Sequence, residues 1–210
     1  MPRGSEELTN ARKEEIIDAF EKLFQTMSFR DISMREIGEL TSMTRSSIYN
    51  YFQTKEEIHL ALNVREYSKW RDVLAKIASH DTMTAEEFAE AIATSLEERR
   101  YFLKLISWNN HEIEENCRLE RLAEIQSVTL DAIKNFSACL YQFFPDLSNN
   151  RKQGFILDFF TYLYGIDSFI NVSEKQQSAH GMAGITYHKI SVHDAVYGFI
   201  MRYLKQEDIL

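Results

Sequence analysis

Breaks in the chain are rare: two prolines and seven glycines punctuate 210 residues. With so few points at which a helix must stop, the chain is set up for long helices joined by short connections. The apolar residues repeat accordingly. From Ala11 to Met27 they fall at Ile16, Ile17, Phe20, Leu23, Phe24 and Met27, one face of a helix. Sustained alternation with a period of two is absent, so the expected fold class is all-α. A hydrophobic fraction of 44% supplies a core and a charged fraction of 27% a soluble surface.

Capping signals mark where the helices begin. Ser33-Met34-Arg35-Glu36, Thr54-Lys55-Glu56-Glu57 and Thr84-Ala85-Glu86-Glu87 each place a hydroxyl three residues before a glutamate. The hydroxyl takes an orphan backbone N–H and the carboxylate reaches back to the cap. Helices are therefore expected over 11–27, from Ser33, over 44–51, from Thr54 towards His80, over 84–98, 99–115 and 118–144, from Ser148 to about Val172, and from Ser191 to about Gln206. Pro145 stops the helix before it. Ser173 to Lys189 holds Gly181, Gly184 and two histidines and reads as a mobile loop.

The pair of short helices after the first long one, joined at Thr41-Ser42-Met43, has the layout of a helix-turn-helix. Charge supports that reading. Residues 1–58 carry eight Lys and Arg against eleven Asp and Glu, yet Leu40 to Lys55 holds Arg45 and Lys55 and no acid. A surface meant for phosphates needs such an island, all the more in a protein of net charge -8.

The string from Ile37 to Ile58, IGELTSMTRSSIYNYFQTKEEI, resembles the signature of the TetR family of bacterial transcriptional regulators, approximately I-A-x-x-A-G-V-S-x-G-x-L-Y-x-Y-F-x-x-K-E-x-L. Identities fall at Ile37, Tyr49, Tyr51, Phe52, Lys55 and Glu56, and conservative replacements at Met43, Thr44, Ile48 and Ile58. Gly38, Thr41, Ser42 and Ser46 depart from the usual Ala, Ala, Gly and Gly. Gly38 costs a helix about 1 kcal/mol relative to alanine, and Ser42 must take a backbone shape that glycine eases. The resemblance implies a DNA-binding domain over 1–55 and a helical ligand-binding and dimerisation domain over 56–210. It implies DNA contacts by Arg35, Thr44, Arg45, Ser46, Ser47, Tyr49, Asn50, Tyr51 and Lys55. Arg45 could fork onto a guanine edge. The short polar residues and tyrosine hydroxyls suit bases or phosphates, and Lys55 suits a phosphate. Read without the resemblance, Tyr49 and Tyr51 could equally be core aromatics, and Arg45 and Lys55 solvated charges.

The later helices are rich in aromatic residues. If the family pattern holds, Tyr67, Trp70, Phe102, Trp108, Phe155, Phe159 and Tyr162 line a cavity for a small apolar or aromatic effector, although each ring could also be plain core. Phe155 to Ile170 is apolar nearly all round, and Gly165 would let another helix approach closely. The last helix carries a stripe at Val192, Ala195, Val196, Phe199, Ile200, Tyr203 and Leu204. A homodimer interface is expected at Gly165, Phe169, Val196, Phe199, Ile200 and Tyr203, two helices from each subunit forming a four-helix contact. Two-fold symmetry would then set two recognition helices about 34 Å apart on a palindromic double-stranded operator. Asp158 and Asp167, inside the apolar helix, need a partner or water.

Other chemistries find little purchase. Cys117 and Cys139 are not in a CxxC arrangement and read as two half-buried thiols. His180, His188 and His193 fit no known ligand spacing, and His111-Glu112 lacks the second histidine of a metal-binding HExxH helix. No metal, no cofactor and no enzymatic activity are expected. No apolar run reaches the roughly 18 residues of a membrane span, and the polar start of the chain lacks a signal-peptide core, so a cytoplasmic location is expected. The leading function is a repressor released from its operator by a ligand. The alternatives are the same fold with ligand-enhanced or protein-partner-controlled binding and, remotely, a small helical enzyme.

Overall fold

The computed structural model describes residues 3–107, 110–186 and 188–205. These contain α1 (Arg3–Thr26), a 3-10 turn (Phe29–Asp31), α2 (Met34–Glu39), α3 (Arg45–Ile48), α4 (Lys55–Ala78) and α5 (Ala85–Glu97). They continue with α6 (Arg100–Ile106), α7 (Asn110–Glu115), α8 (Leu119–Phe143), α9 (Asn149–Ile170), α10 (Glu174–Met182) and α11 (Val192–Lys205). No strand occurs among the described residues, and no helix is long and apolar enough to cross a membrane.

The capping signals at Ser33 and Thr84 act as read; at Thr54 the hydroxyl takes the Glu57 N–H at 3.2 Å, but the Glu57 carboxylate goes to the Gln53 N–H and not back to the cap. The Ser33 N–H donates to Glu36 at 2.7 Å, and Thr84 and Glu87 exchange bonds of 2.8 and 3.2 Å. Ser148 takes the Arg151 N–H, and Ser191 the Asp194 N–H. The expected helix over 99–115 is divided into α6 and α7. The expected loop over 173–189 is a correction: it contains α10. Ser173 and Gln176 form a capping box there, and at the far end Gly184 takes φ +70°. That conformation suits glycine and lets the Ile185 N–H reach the His180 carbonyl at 2.9 Å.

The chain divides into two compact units. The first joins residues 1–66 with 109–128, so the early residues are completed by a segment that the sequence reading assigned to the other domain. Its core is built from Ile16, Phe20, Phe24, Phe29, Ile32, Ile37, Ile48, Phe52, Ile58 and Leu62, all buried. Arg65 of α4 is tied to α1 through Asp18 at 2.6 Å and Glu14 at 3.1 Å.

The second unit joins 67–108 with 129–210. Its centre is a set of rings in mutual contact. Phe136 and Phe159 stack with centroids 4.5 Å apart, Tyr67 meets Phe102 edge-on at 4.7 Å, and Trp70 lies 5.7 Å from Phe102 and 5.9 Å from Phe160. Trp70 also donates to the Ser95 hydroxyl. α11 packs chiefly on α5 and also on α9. Gly154 permits the α9 contact: a Cβ there would meet the Tyr203 hydroxyl at 2.8 Å, and Tyr203 stacks on neighbouring Phe155 at 4.4 Å. Both thiols sit on or beside helices, Cys117 half-buried and Cys139 buried. Burial pushes them up to about 12 and about 11.

Candidate nucleic-acid interface

The helix-turn-helix is α2, the turn at 40–44 and α3. Thr44 opens α3: its hydroxyl accepts the Ser47 N–H at 3.3 Å and lies 3.0 and 2.9 Å from the Ser46 and Ser47 hydroxyls. Ile48, fully buried, is the anchor. The α-helical portion ends there, sooner than the sequence suggested, and tighter bonds such as Tyr51 N–H to Ile48 C=O at 2.9 Å carry the chain to Phe52. With Ile48 inside, Thr44, Arg45, Ser46, Tyr49 and Asn50 point outward as exposed residues, while Ser47 and Tyr51 are half-buried. Tyr49 is 42% exposed, which excludes a core role.

The turn is held from outside. Ser42 donates its N–H to Glu15 of α1, and the Arg12 guanidinium donates to the Ser42 hydroxyl at 2.6 Å. Hydrogen bonds from Ser42 itself, the backbone N–H first and then the side chain, draw the Glu15 carboxyl below its ordinary range. No non-glycine residue described has a positive φ, so Ser42 does not need the conformation that glycine would have eased. The helix pair is braced to α1 instead.

The basic residues have partners within the protein. Arg45 donates to the Tyr49 hydroxyl at 3.3 Å and lies over its ring. Arg35 is exposed and bound to Glu39 one turn on at 3.0 Å. That hydrogen bond raises the arginine further above its ordinary value. Lys55 departs from the expected phosphate contact. Its ammonium donates to the carbonyls of Phe29 (2.8 Å), Ile32 (2.9 Å) and Arg30 (3.2 Å) and sits 4.6 Å from the Phe29 ring centroid. All three N–H donors of an ammonium are engaged on the 3-10 turn.

One carboxylate, expected to close a capping box on Thr54, is engaged elsewhere. Glu57, fully buried, receives Arg118 through Nε at 2.6 Å and Nη2 at 2.8 Å and the Gln53 N–H at 2.8 Å. Burial pushes its carboxyl upward, but the Arg118 and backbone bonds outweigh this and leave it below the ordinary range. Thr54 donates to the Asn116 carbonyl at 3.0 Å. Arg121 reaches the Tyr51 carbonyl at 3.4 Å and lies over the Phe52 ring.

In the second unit, the expected ligand residues Tyr67, Trp70, Phe102, Phe155 and Phe159 are buried against one another. Trp108 lies outside the described residues. Tyr162 lines a groove of about 400 Å³ with Asp158, Thr161, Gly165, Ile166, Phe169, Ile170, Ile190 and Ala195. A second groove, about 260 Å³, is lined by Ile133, Gln153, Ile156, Leu157 and Phe160. The expected interface stripe on α11 is corrected in part. Val196 and Ile200 are fully buried, and Phe199 stacks on Tyr162 at 4.5 Å, because α11 spends this face on its own subunit. Gly165 and Phe169 do face outward. Of the two carboxylates on α9, Asp158 is exposed and Asp167 accepts from Asn171 at 2.6 Å.

A helix-turn-helix of this build, at the head of an all-helical chain, defines a DNA-binding transcriptional regulator. Residues 16–62 match the family profile described as bacterial regulatory proteins, tetR family. Residues 64–204 match that described as the tetracyclin repressor-like C-terminal domain. The chain belongs to the TetR family. An uncharacterized HTH-type transcriptional regulator of Mycobacterium tuberculosis is 31% identical over 101 residues, 48% of this chain and 50% of the relative. The chain thus spans about half the length of that relative. An HTH-type transcriptional repressor of the same organism is 23% identical over 138 residues, 64% of this chain and 71% of the relative. Among solved structures, a putative TetR-family regulator from Mesorhizobium loti aligns with a TM-score of 0.58 at 13% identity, covering 93% of this chain and 96% of that one. The fatty acid degradation regulator FadR of Bacillus halodurans aligns with a TM-score of 0.58 at 15% identity, covering 92% and 98%.

Proposed function

We propose that the protein is a homodimeric repressor that holds a palindromic operator and is released by a small apolar or aromatic effector. The observation that carries the DNA contact is α3: one buried anchor, Ile48, and an outward set of Thr44, Arg45, Ser46, Tyr49 and Asn50. Arg45 reads a base edge, exchanging its contact with Tyr49 for a guanine, and Arg35 leaves Glu39 for the duplex. Ser47 and Tyr51 complete the contact from its margin. Lys55 is left out, since its donors hold the 3-10 turn.

The second copy covers the outward face of α9. Leu157 is 69% exposed and Phe169 78%, with Tyr164 and Gly165 between them and an apolar groove on either side. Apolar side chains aligned along one helix in water favour such a partner. The effector enters among Tyr67, Trp70 and Phe102. Those rings touch, so a ligand must part them, and a ligand that favours the parted state shifts the population towards it.

A gel shift with DNA from upstream of the protein's own gene tests the reading. Arg45→Ala should lose about 1–3 kcal/mol of discrimination at one base pair. Equal binding of that DNA and random duplex by the wild-type protein would refute it.

A further inference from the structure

The end of the recognition helix is held by a segment more than sixty residues away in sequence. Tyr51 to Glu57 is the stretch through which α3 leaves its turn and enters α4. Four contacts join it to residues 116–121: the Arg118 guanidinium on the buried Glu57 carboxylate, the Arg118 N–H on one oxygen of that carboxylate, the Thr54 hydroxyl donating to the Asn116 carbonyl, and Arg121 on the Tyr51 carbonyl and the Phe52 ring. All belong to the first compact unit.

The chemistry is that of a fixed mount. A guanidinium meeting a carboxylate through two parallel bonds sets direction as well as distance. Glu57 has no exposed surface, and a carboxylate cut off from water and stripped of its arginine would draw the chain into another arrangement. The Tyr51 carbonyl lies three residues past α3, in the turn that leads to α4. Arg121 supplies a donor there while its guanidinium lies over the Phe52 ring.

We propose that Arg118 and Arg121 are positioning residues for operator recognition: they fix the exit of the recognition helix and touch no DNA themselves. This rests on the DNA-binding reading of α3. Segment 116–121, at the start of α8, is therefore the part of the C-terminal family domain on which the aim of the reading head depends.

The test uses the full-length protein, an operator selected by the wild type from a random-sequence duplex library, and a random duplex of the same length. Arg118→Met, Arg121→Met and Glu57→Gln should each weaken operator binding by about tenfold or more while leaving random-duplex binding within about twofold, because phosphate attraction does not depend on how α3 is aimed. The double variant Arg118→Met/Glu57→Gln should bind no more weakly than the worse single one, as partners in one pair do, and Arg118→Lys should restore part of the loss. Should Arg118→Met fail to fold by circular dichroism, Arg121→Met carries the same comparison. Unchanged operator affinity in the folded variants overturns the proposal. Equal losses on operator and random duplex overturn it too, by making the arginines phosphate contacts. A wild type that selects no operator defeats the DNA-binding reading instead.

Discussion

At the scale of single residues, two positions in the first unit carry consequences for stability. Gly38 stands in α2 where the family pattern has alanine. A Cβ there would lie 3.6 Å from Ile48 Cδ1 and 3.9 Å from the Arg45 backbone, ordinary contact distances. Gly38→Ala should therefore raise stability by about 0.5–1 kcal/mol, read as a shift in the urea midpoint, and a lower midpoint would reveal a clash. His59 is enclosed by Phe20, Phe24 and Phe29, whose ring centroids lie 5.3–6.1 Å away; its ring is hydrogen-bonded to Asn63 at 3.2 Å. Burial pushes its pKa down to about 3. The unfolded chain takes up a proton near the ordinary value of about 6.5, which the folded one refuses. Its contribution is thus complete above that pH and is lost as the solution is acidified towards the folded value. Between pH 7 and 5 the wild type should lose up to about 2 kcal/mol more stability than His59→Gln; parallel losses in urea titrations would show that His59 does not govern the slope. Sequence showed Phe20 and Phe24 on one helix face through their spacing. It did not show the proton, because a histidine inside a periodic stripe looks the same whether or not it meets water.

Among the elements, those with one buried face were legible. α1, α5, α8 and α9 repeat their apolar residues at helical spacing; α5 and α9 begin at the expected caps, Thr84 and Ser148, whereas α1 begins at Arg3, ahead of the expected Ala11. α10 was not, because its nine residues bury nothing in this chain, and only packing writes a periodic pattern into a helix. A helix this short is marginal in water without a neighbour. Its amides should exchange with deuterium far sooner than those of α11 when the protein is dilute and monomeric; protection equal to that of α11 would mean that α10 is held by contacts of its own. α11 failed in the opposite sense. Its stripe was plain in the sequence, but a stripe says that a face is covered and not by which chain, and Val196 and Ile200 turn out to be covered by their own.

For the whole molecule, the sites divide in the same way. The exposure of Thr44, Arg45, Ser46, Tyr49 and Asn50 could be read in advance, because residues so close in sequence are turned outward together once Ile48 is buried. Arg118 and Glu57 could not, since a pairing across 61 positions leaves no local trace in either segment. Lys55 matched a motif and was assigned the motif's outward task, whereas the nearby carbonyls accept its N–H bonds. The assembly expected from the outward face of α9 gives a prediction at this scale. The double variant Leu157→Glu/Phe169→Glu should sediment as a monomer, because each carboxylate would be trapped in an apolar contact. Phe199→Glu should instead unfold the second unit, since that ring packs on Tyr162 within the subunit. An intact, folded dimer from the Leu157/Phe169 variant would place the interface on another surface.

The closed packing of Trp70, Phe102, Phe136, Phe159 and Phe160 has a bearing on time as well as on affinity. Rings already in contact offer no berth to a molecule arriving by diffusion, so entry among them waits on their own rearrangement. Under the proposed release by an effector, the rate of its capture would rise with concentration only until it meets the opening rate, and beyond that more effector would gain no speed. A regulator built so would follow a lasting presence of its signal and pass over a brief one.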